Sequence, residues 1–163
     1  MPAVRRAGAG DAGALARLGK LALEDVSSRR GGVALLAEVE QPLACGEDVP
    51  SFLGSAGSAM WIASWAGADV GYAAASLVER SGEGRIGMLR CVWVEPEARG
   101  LGAGEALTQA AVDWLWHEGA GSIDAPALPG DRSAKRLLEL SGFKARLIVM
   151  RRDLDQSDAP TGA

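Results

Sequence analysis

"VEPEARGLGAGEAL", residues 94–107, sets three glycines at alternate positions behind an arginine. An apolar run ending in proline precedes it and a helical pattern follows, so a strand gives way to a helix near residue 102. The first turn of a helix has four amide hydrogens without helical acceptors, and its dipole favours negative charge there. Gly100, Gly102 and Gly104 remove the Cβ atoms that would keep an anion's oxygens away from those amides. Arg99 adds a planar cation suited to phosphate. A dinucleotide fingerprint fails because Glu105 stands where G-x-G-x-x-G needs its third glycine, and a P-loop fails because no Gly-Lys-Ser/Thr follows. Spacing alone leaves two readings open: an anion-binding helix start, or a glycine-rich turn with no ligand.

Working outward, "RIGMLRCVWVEP" (85–96) is the best strand, β-branched and aromatic between glycine and proline. Strands are also predicted over 59–67 and 69–79, with Ala-Gly-Ala-Asp as a hairpin turn and "SGEG" (81–84) as a second turn. Downstream, Leu107, Ala110, Ala111, Trp114 and Leu115 recur at helical spacing, giving a helix from 102 to about 118. "GSIDA" (121–125) reads as a short strand. "DRSAKRLLELSGF" is a helix capped by Asp131 and stopped by Gly142, and "FKARLIVMRR" (143–152) is a last strand. Upstream, "AVRR" (3–6) can open a strand, and residues 11–24 form an amphipathic helix with Asp11 as N-cap. Residues 33–41 give a weaker helix, and 42–57, rich in Gly, Pro and Ser, read as irregular. This order predicts one α/β domain over 1–152 with a mixed, mostly antiparallel sheet. The polar tail 153–163 is expected to be disordered.

The 163 residues are 48% hydrophobic with a net charge of -4, which argues against a general nucleic-acid binder. No stretch approaches a membrane span and no signal-peptide core forms, so a cytoplasmic, reduced setting is expected. Cys45 and Cys91 are too few for a disulfide framework and lie in no metal-site spacing, so no metal is expected.

"VWVEPEARGLGAGEAL" also resembles the acyl-CoA pyrophosphate motif of the GNAT superfamily of N-acetyltransferases, R/Q-x-x-G-x-G/A, matched by Arg99, Gly102 and Gly104. "DRSAKRLLELSGF" resembles the family's second cofactor segment, matched by Ala134, Leu137, Gly142 and Phe143. The order of elements agrees over roughly residues 1–151. The resemblance implies a central sheet splayed at the cofactor site, acetyl-CoA as cofactor, and pantetheine alongside the backbone of Val92, Trp93 and Val94. It places the pyrophosphate on Arg99, Gly100, Leu101, Gly102, Ala103 and Gly104, with Asp131 and Ala134 as further cofactor contacts. The Val92 amide becomes an oxyanion-type donor to the acetyl carbonyl. The acceptor is a small-molecule or peptide amine, and relatives that are often dimers make a homodimer an expectation.

The acid–base chemistry is less defined. The family's usual tyrosine falls on Leu138, its asparagine on Asp131, and its strand glutamate near Met88, with Arg90 beside it. Tyr72 is the chain's one tyrosine and a candidate acid, against the plainer reading of a half-buried strand residue. Glu79 is a candidate base, against a solvated turn. His117 reads as a helix-end partner, Trp61 and Trp65 as core packing or an apolar acceptor pocket, and Glu24 and Asp25 as residues at the acceptor entrance. Two functions follow: amine acetylation by direct attack in a ternary complex, or a non-catalytic acyl-CoA-binding sensor or scaffold.

Overall fold

The computed structural model describes residues 1–33 and 49–160. Five strands, β1 (Ala3–Arg6), β2 (Ser58–Trp65), β3 (Ala68–Arg80), β4 (Gly84–Val94) and β5 (Ser122–Asp124), form one sheet in sequence order. The first three pairings are antiparallel and the β4–β5 pairing is parallel. The helices are α1 (Ala12–Ser27), α2 (Val49–Gly54), α3 (Ala103–His117) and α4 (Arg132–Leu140).

Strand alternation sends side chains to both faces, and each face receives its own helices. On one face Leu107, Ala111 and Leu115 of α3 pack on Trp61, Ala73, Ala75 and Leu89. Trp61 meets Trp114 of α3 edge-on at 5.8 Å. On the other face Leu15 and Leu18 of α1 and Phe52 of α2 cover Met60, Ile62, Tyr72 and Trp93. Each fully buried leucine of this kind stabilises the fold by roughly 1.5–3 kcal/mol.

The β2–β3 hairpin turns on Ala66 and Gly67, both at positive φ (50° and 84°), the two-residue geometry that matches strand twist. Helix α4 ends in a glycine-bearing cap. Gly142 sits at φ 88°, the Phe143 amide donates to the Leu138 carbonyl and the Gly142 amide to that of Glu139. Phe143 and Leu138 both pack against the α3-side core.

Four sequence expectations need adjustment. Helix α1 runs on to Ser27, beyond the expected residue 24. Asp11 stands at its N-cap position without bonding into the helix. Its carboxylate instead accepts from the Gly8 amide and from Arg5, whose hydrogen bonds foremost hold the carboxyl down at about 2. Within the stretch read as irregular, Val49–Gly54 is helical, because the buried Val49 and Phe52 anchor a turn and Pro50 sits in its first turn, where a missing amide hydrogen costs nothing. The strand expected over 143–152 joins no ladder: residues 144–152 lie exposed and pair with none of the five strands of the sheet, so composition without a pairing partner leaves them outside it. The helix expected over 33–41, apart from Val33, and Cys45 lie outside the described residues. In the tail, Asp155 caps a short turn over Gln156–Asp158.

Candidate functional site

Strands β4 and β5 pair only through Ile86–Ser122, Gly87–Ile123 and Met88–Asp124. From Leu89 to Val94, β4 has β3 on one side and, among the described residues, no strand on the other. A bulge opens this unpaired half: Ala74 faces Cys91 while the next residue, Ala75, faces Leu89, so Arg90 is the extra residue. The bulge changes the phase of alternation. Leu89 packs on the α3 face, Cys91 and Trp93 on the α1 face, and Val92 and Val94 return to the α3 face. Arg90 itself is 9% exposed, with its Nε donating to the Ser76 hydroxyl.

The chain leaves β4 through a single turn over Pro96–Ala98 and enters α3 through the glycine loop. Gly100 and Gly102 take φ values of 78° and 87°, where a side chain is strained. A Cβ built on either would meet nothing within 4 Å. Gly102 is the N-cap of α3 and has no side chain to satisfy the first amides of the helix. The loop is therefore a bare helix start with open space where side chains would stand, which fits a diphosphate linker. Gly104 is bare for a different reason. A Cβ there would come within 3.2 Å of Leu137 on α4 and 4.0 Å of Val94. Its smallness lets α4 and β4 close on α3.

Arg99 lies between loop and strand. Its Nε donates to the Val94 carbonyl at 2.9 Å, and its Nη2 reaches Asp25 Oδ2 at 2.8 Å. Asp25, in the last turns of α1, also accepts from Trp93 Nε1 at 3.0 Å and from Arg29 at 3.1 Å. Arg29 in turn bonds Asp131 Oδ2 at 2.6 Å, while Asp131 Oδ1 caps α4 through the Ala134 amide. One chain of charge-assisted bonds thus joins the end of α1, the end of β4, the glycine loop and the start of α4.

Partial burial pushes the Asp25 carboxyl upward, but hydrogen bonds from Trp93, Arg99 and Arg29 outweigh it and hold the group below its ordinary value. A carboxyl lowered in the folded state stabilises the fold above its unfolded pKa of about 3.9, and that contribution fades as pH falls through the folded value. Asp25→Ala is expected to cost about 1–3 kcal/mol by orphaning three donors. Thermal melts should show a Tm lower by roughly 3–10 °C at neutral pH. The gap between wild type and Asp25→Asn should narrow only below pH about 4. A gap that stays constant down to the acid limit would show that the charge of Asp25 does not contribute.

The family model described as Acetyltransferase (GNAT) family matches residues 32–143. The chain belongs to this family. Among solved structures, an acetyltransferase from Trypanosoma brucei superposes with a TM-score of 0.66 at 22% identity, covering 94% of this chain and 100% of that one. The aminoglycoside N-acetyltransferase AAC(6')-Iy in complex with CoA gives 0.66 at 18% identity, covering 93% and 100%. An aminoglycoside acetyltransferase from an uncultured soil metagenomic sample, in complex with sisomicin, gives 0.67 at 15%, covering 94% and 97%. At these identities the likeness is one of fold. No curated protein matches the sequence.

Within this GNAT domain the structure gathers the expected cofactor residues at one corner: Val92, Trp93 and Val94 on the unpaired part of β4, and Arg99 through Gly104 at the start of α3. Asp131 and Ala134 stand at the start of α4 and join that corner through Arg29 and Asp25. The acid–base candidates lie elsewhere. Tyr72 is fully buried in the α1-side core opposite Trp93. Glu79 pairs with Arg85 and faces that residue across the β3–β4 ladder, seven residues before Val92. At about 3.3 Å per residue, Glu79 and Val92 are roughly 20 Å apart. Leu138 is half-buried against the core, and His117 closes the far end of α3. Trp61 is core, whereas Trp65 is 36% exposed near the hairpin turn. The residue that sequence reading missed is Arg29. Its one sequence signal was the i, i+4 spacing from Asp25, whereas its bond to Asp131 spans 102 residues and left no trace.

Proposed function

We propose that the chain transfers an acetyl group from acetyl-CoA to a primary amine by direct attack in a ternary complex. The observation that carries this reading is the bare start of α3, with open space at Gly100 and Gly102, set beside the strand-free half of β4. Amides of the loop and the Arg99 guanidinium would hold the diphosphate, and the backbone of Val92–Val94 would align the pantetheine arm. Bound acetyl-CoA supplies a thioester carbon open to attack. The Val92 amide is the donor placed to stabilise charge on the carbonyl oxygen. The amine must arrive neutral, which for a lysine-like group at pH 7 costs roughly 4–5 kcal/mol. With Tyr72 enclosed and Glu79 remote, proton removal falls to solvent rather than to either side chain, and proximity provides much of the rate. A soluble amine is the acceptor class, with aminoglycosides the first panel to try.

Leu138 favours a second reading, a non-catalytic acyl-CoA sensor, because a packed leucine has no proton to give a departing thiolate. Both readings predict thermal stabilisation by CoA. Only the enzyme releases thiol from acetyl-CoA when an amine panel is added. Arg99→Ala is expected to weaken CoA binding by about 10- to 100-fold, the worth of a charge-assisted contact. Unchanged CoA affinity in that variant would remove Arg99 from the site.

A further inference from the structure

The gap beside the unpaired half of β4 has a second wall. After β5 the chain leaves β4 and runs through residues 125–131 into α4, so this segment forms the far side of the gap. The end of α1 reaches both walls. On the β4 side, Asp25 accepts from Trp93 Nε1 at 3.0 Å and from Arg99 Nη2 at 2.8 Å. On the far side, Arg29 Nη1 donates to Asp131 Oδ2 at 2.6 Å. Arg29 Nη2 and Nε complete the link by donating to Asp25 at 3.1 and 3.3 Å. Just beyond, a Cβ on Gly31 would lie 3.5 Å from Leu128 Cδ2, and Leu128 is buried. One short stretch, Asp25 to Gly31, therefore joins the two walls on the α1 face. A planar guanidinium between two carboxylates holds them at a set separation, because charge-assisted bonds are short and the fork is rigid.

We propose that Arg29 is a positioning residue of the cofactor site: a clasp that holds the gap closed on its α1 face and opens to let coenzyme A in and out. The assignment rests on coenzyme A occupying the gap, with its pantetheine arm beside Val92–Val94. Arg29 acts through Asp25 and Asp131 rather than on the cofactor. Both partners are anchored independently of it. Asp131 Oδ1 accepts from the Ala134 amide at 3.0 Å and so caps α4, and Asp25 is held by Trp93 and Arg99. Arg29 stands two residues past Ser27, the last residue of α1, so it is the member that can swing away while the walls stay in place. The Arg29, Asp25 and Asp131 side chains are 29, 25 and 17% exposed, so the links are shielded better than those of a surface pair. The clasp is closed whether the gap is empty or filled. Its opening is therefore a barrier met in both directions, which slows entry and exit alike and cancels from the equilibrium constant.

Binding kinetics decide it, with coenzyme A alone as the probe, followed by stopped-flow tryptophan fluorescence and by calorimetric titration. In Arg29→Gln, association and dissociation are both expected to quicken about 10-fold, the worth of one partly screened charge-assisted link, while Kd stays within about 2-fold of wild type. Arg29→Lys keeps the charge without the fork, so its rates should fall between the two. Asp131→Asn keeps a capping oxygen for α4 and removes the charge at the other end of the link, so both rates should rise there as well. A merely structural Arg29 would give a different pattern: faster dissociation and weaker binding with association unchanged. That pattern, or wild-type rates in Arg29→Gln, overturns the clasp and leaves the cofactor site standing. A wild-type chain that takes up no coenzyme A overturns both.

Discussion

Valine at position 102 is expected to weaken coenzyme A binding by roughly 10- to 1,000-fold, whereas valine at position 104 is expected to lower the melting temperature first. The two glycines belong to one motif and differ in what surrounds them. Gly102 sits at φ 87° with nothing within 4 Å of its missing Cβ, so a valine has room in the free protein and occupies the space in front of the α3 amides. About four amides, each worth roughly 0.3–1 kcal/mol to an anion, would then be screened, a loss of about 1–4 kcal/mol. Left-handed backbone adds a strain of about 1–2 kcal/mol. At Gly104 the same side chain would be driven into Leu137 at 3.2 Å and toward Val94. Overpacking of this kind costs about 1–3 kcal/mol of stability. Calorimetric titration with CoA and a thermal melt separate the two. Wild-type affinity in Gly102→Val would mean that no anion rests on this helix start.

The order of elements was legible because each announces itself locally. Trp61 to Trp65 alternate, Leu107 to Leu115 keep helical spacing, and Gly142 stops a helix through a cap that its own neighbours complete. The glycine loop was legible for the same reason, since a bare helix start is a property of consecutive residues. What failed to show was every feature set by distant partners. Residues 144–152 have the composition of a strand, but a strand exists only when it pairs with an edge, and these residues join none of the sheet's five strands. Val49–Gly54 has the composition of a loop, yet burying Val49 and Phe52 makes it a helix. The Asp25 hub draws on α1, β4 and the loop at once, so no window of sequence contains it. Tyr72 and Glu79 were chosen by residue type, and their placement was decided by register: Tyr72 opposite Trp93 in the core, Glu79 opposite Arg85 at the far end of the ladder.

Alanine at Gly71 is expected to destabilise the fold at the edge of the candidate site. Gly71 pairs with Val94 in the β3–β4 ladder, and a Cβ on it would stand 2.6 Å from the Trp93 carbonyl oxygen and 3.2 Å from Val94 Cα. These are backbone atoms, with no rotamer to move aside, and the position is buried. The two strands must part at that end. The separation falls on Trp93 and Val94, and it strains the Glu95 amide bond to the Val70 carbonyl, 2.8 Å long. A cost of about 3 kcal/mol is expected. On a domain of this size it lowers Tm by roughly 6–12 °C. Because the displaced atoms form the strand-free half of β4, CoA affinity should fall along with stability, unlike Gly102→Val, where affinity falls further than stability. Gly13→Ala is the matched control: the same methyl group, added to an exposed position of α1 with nothing within 4 Å. It is expected to raise stability by about 0.4–1 kcal/mol, as helix-compatible glycine replacements do. If Gly71→Ala melts with wild type, the close approach of β3 to the end of β4 is wrong, and the placement of Trp93 and Val94 beside the glycine loop falls with it.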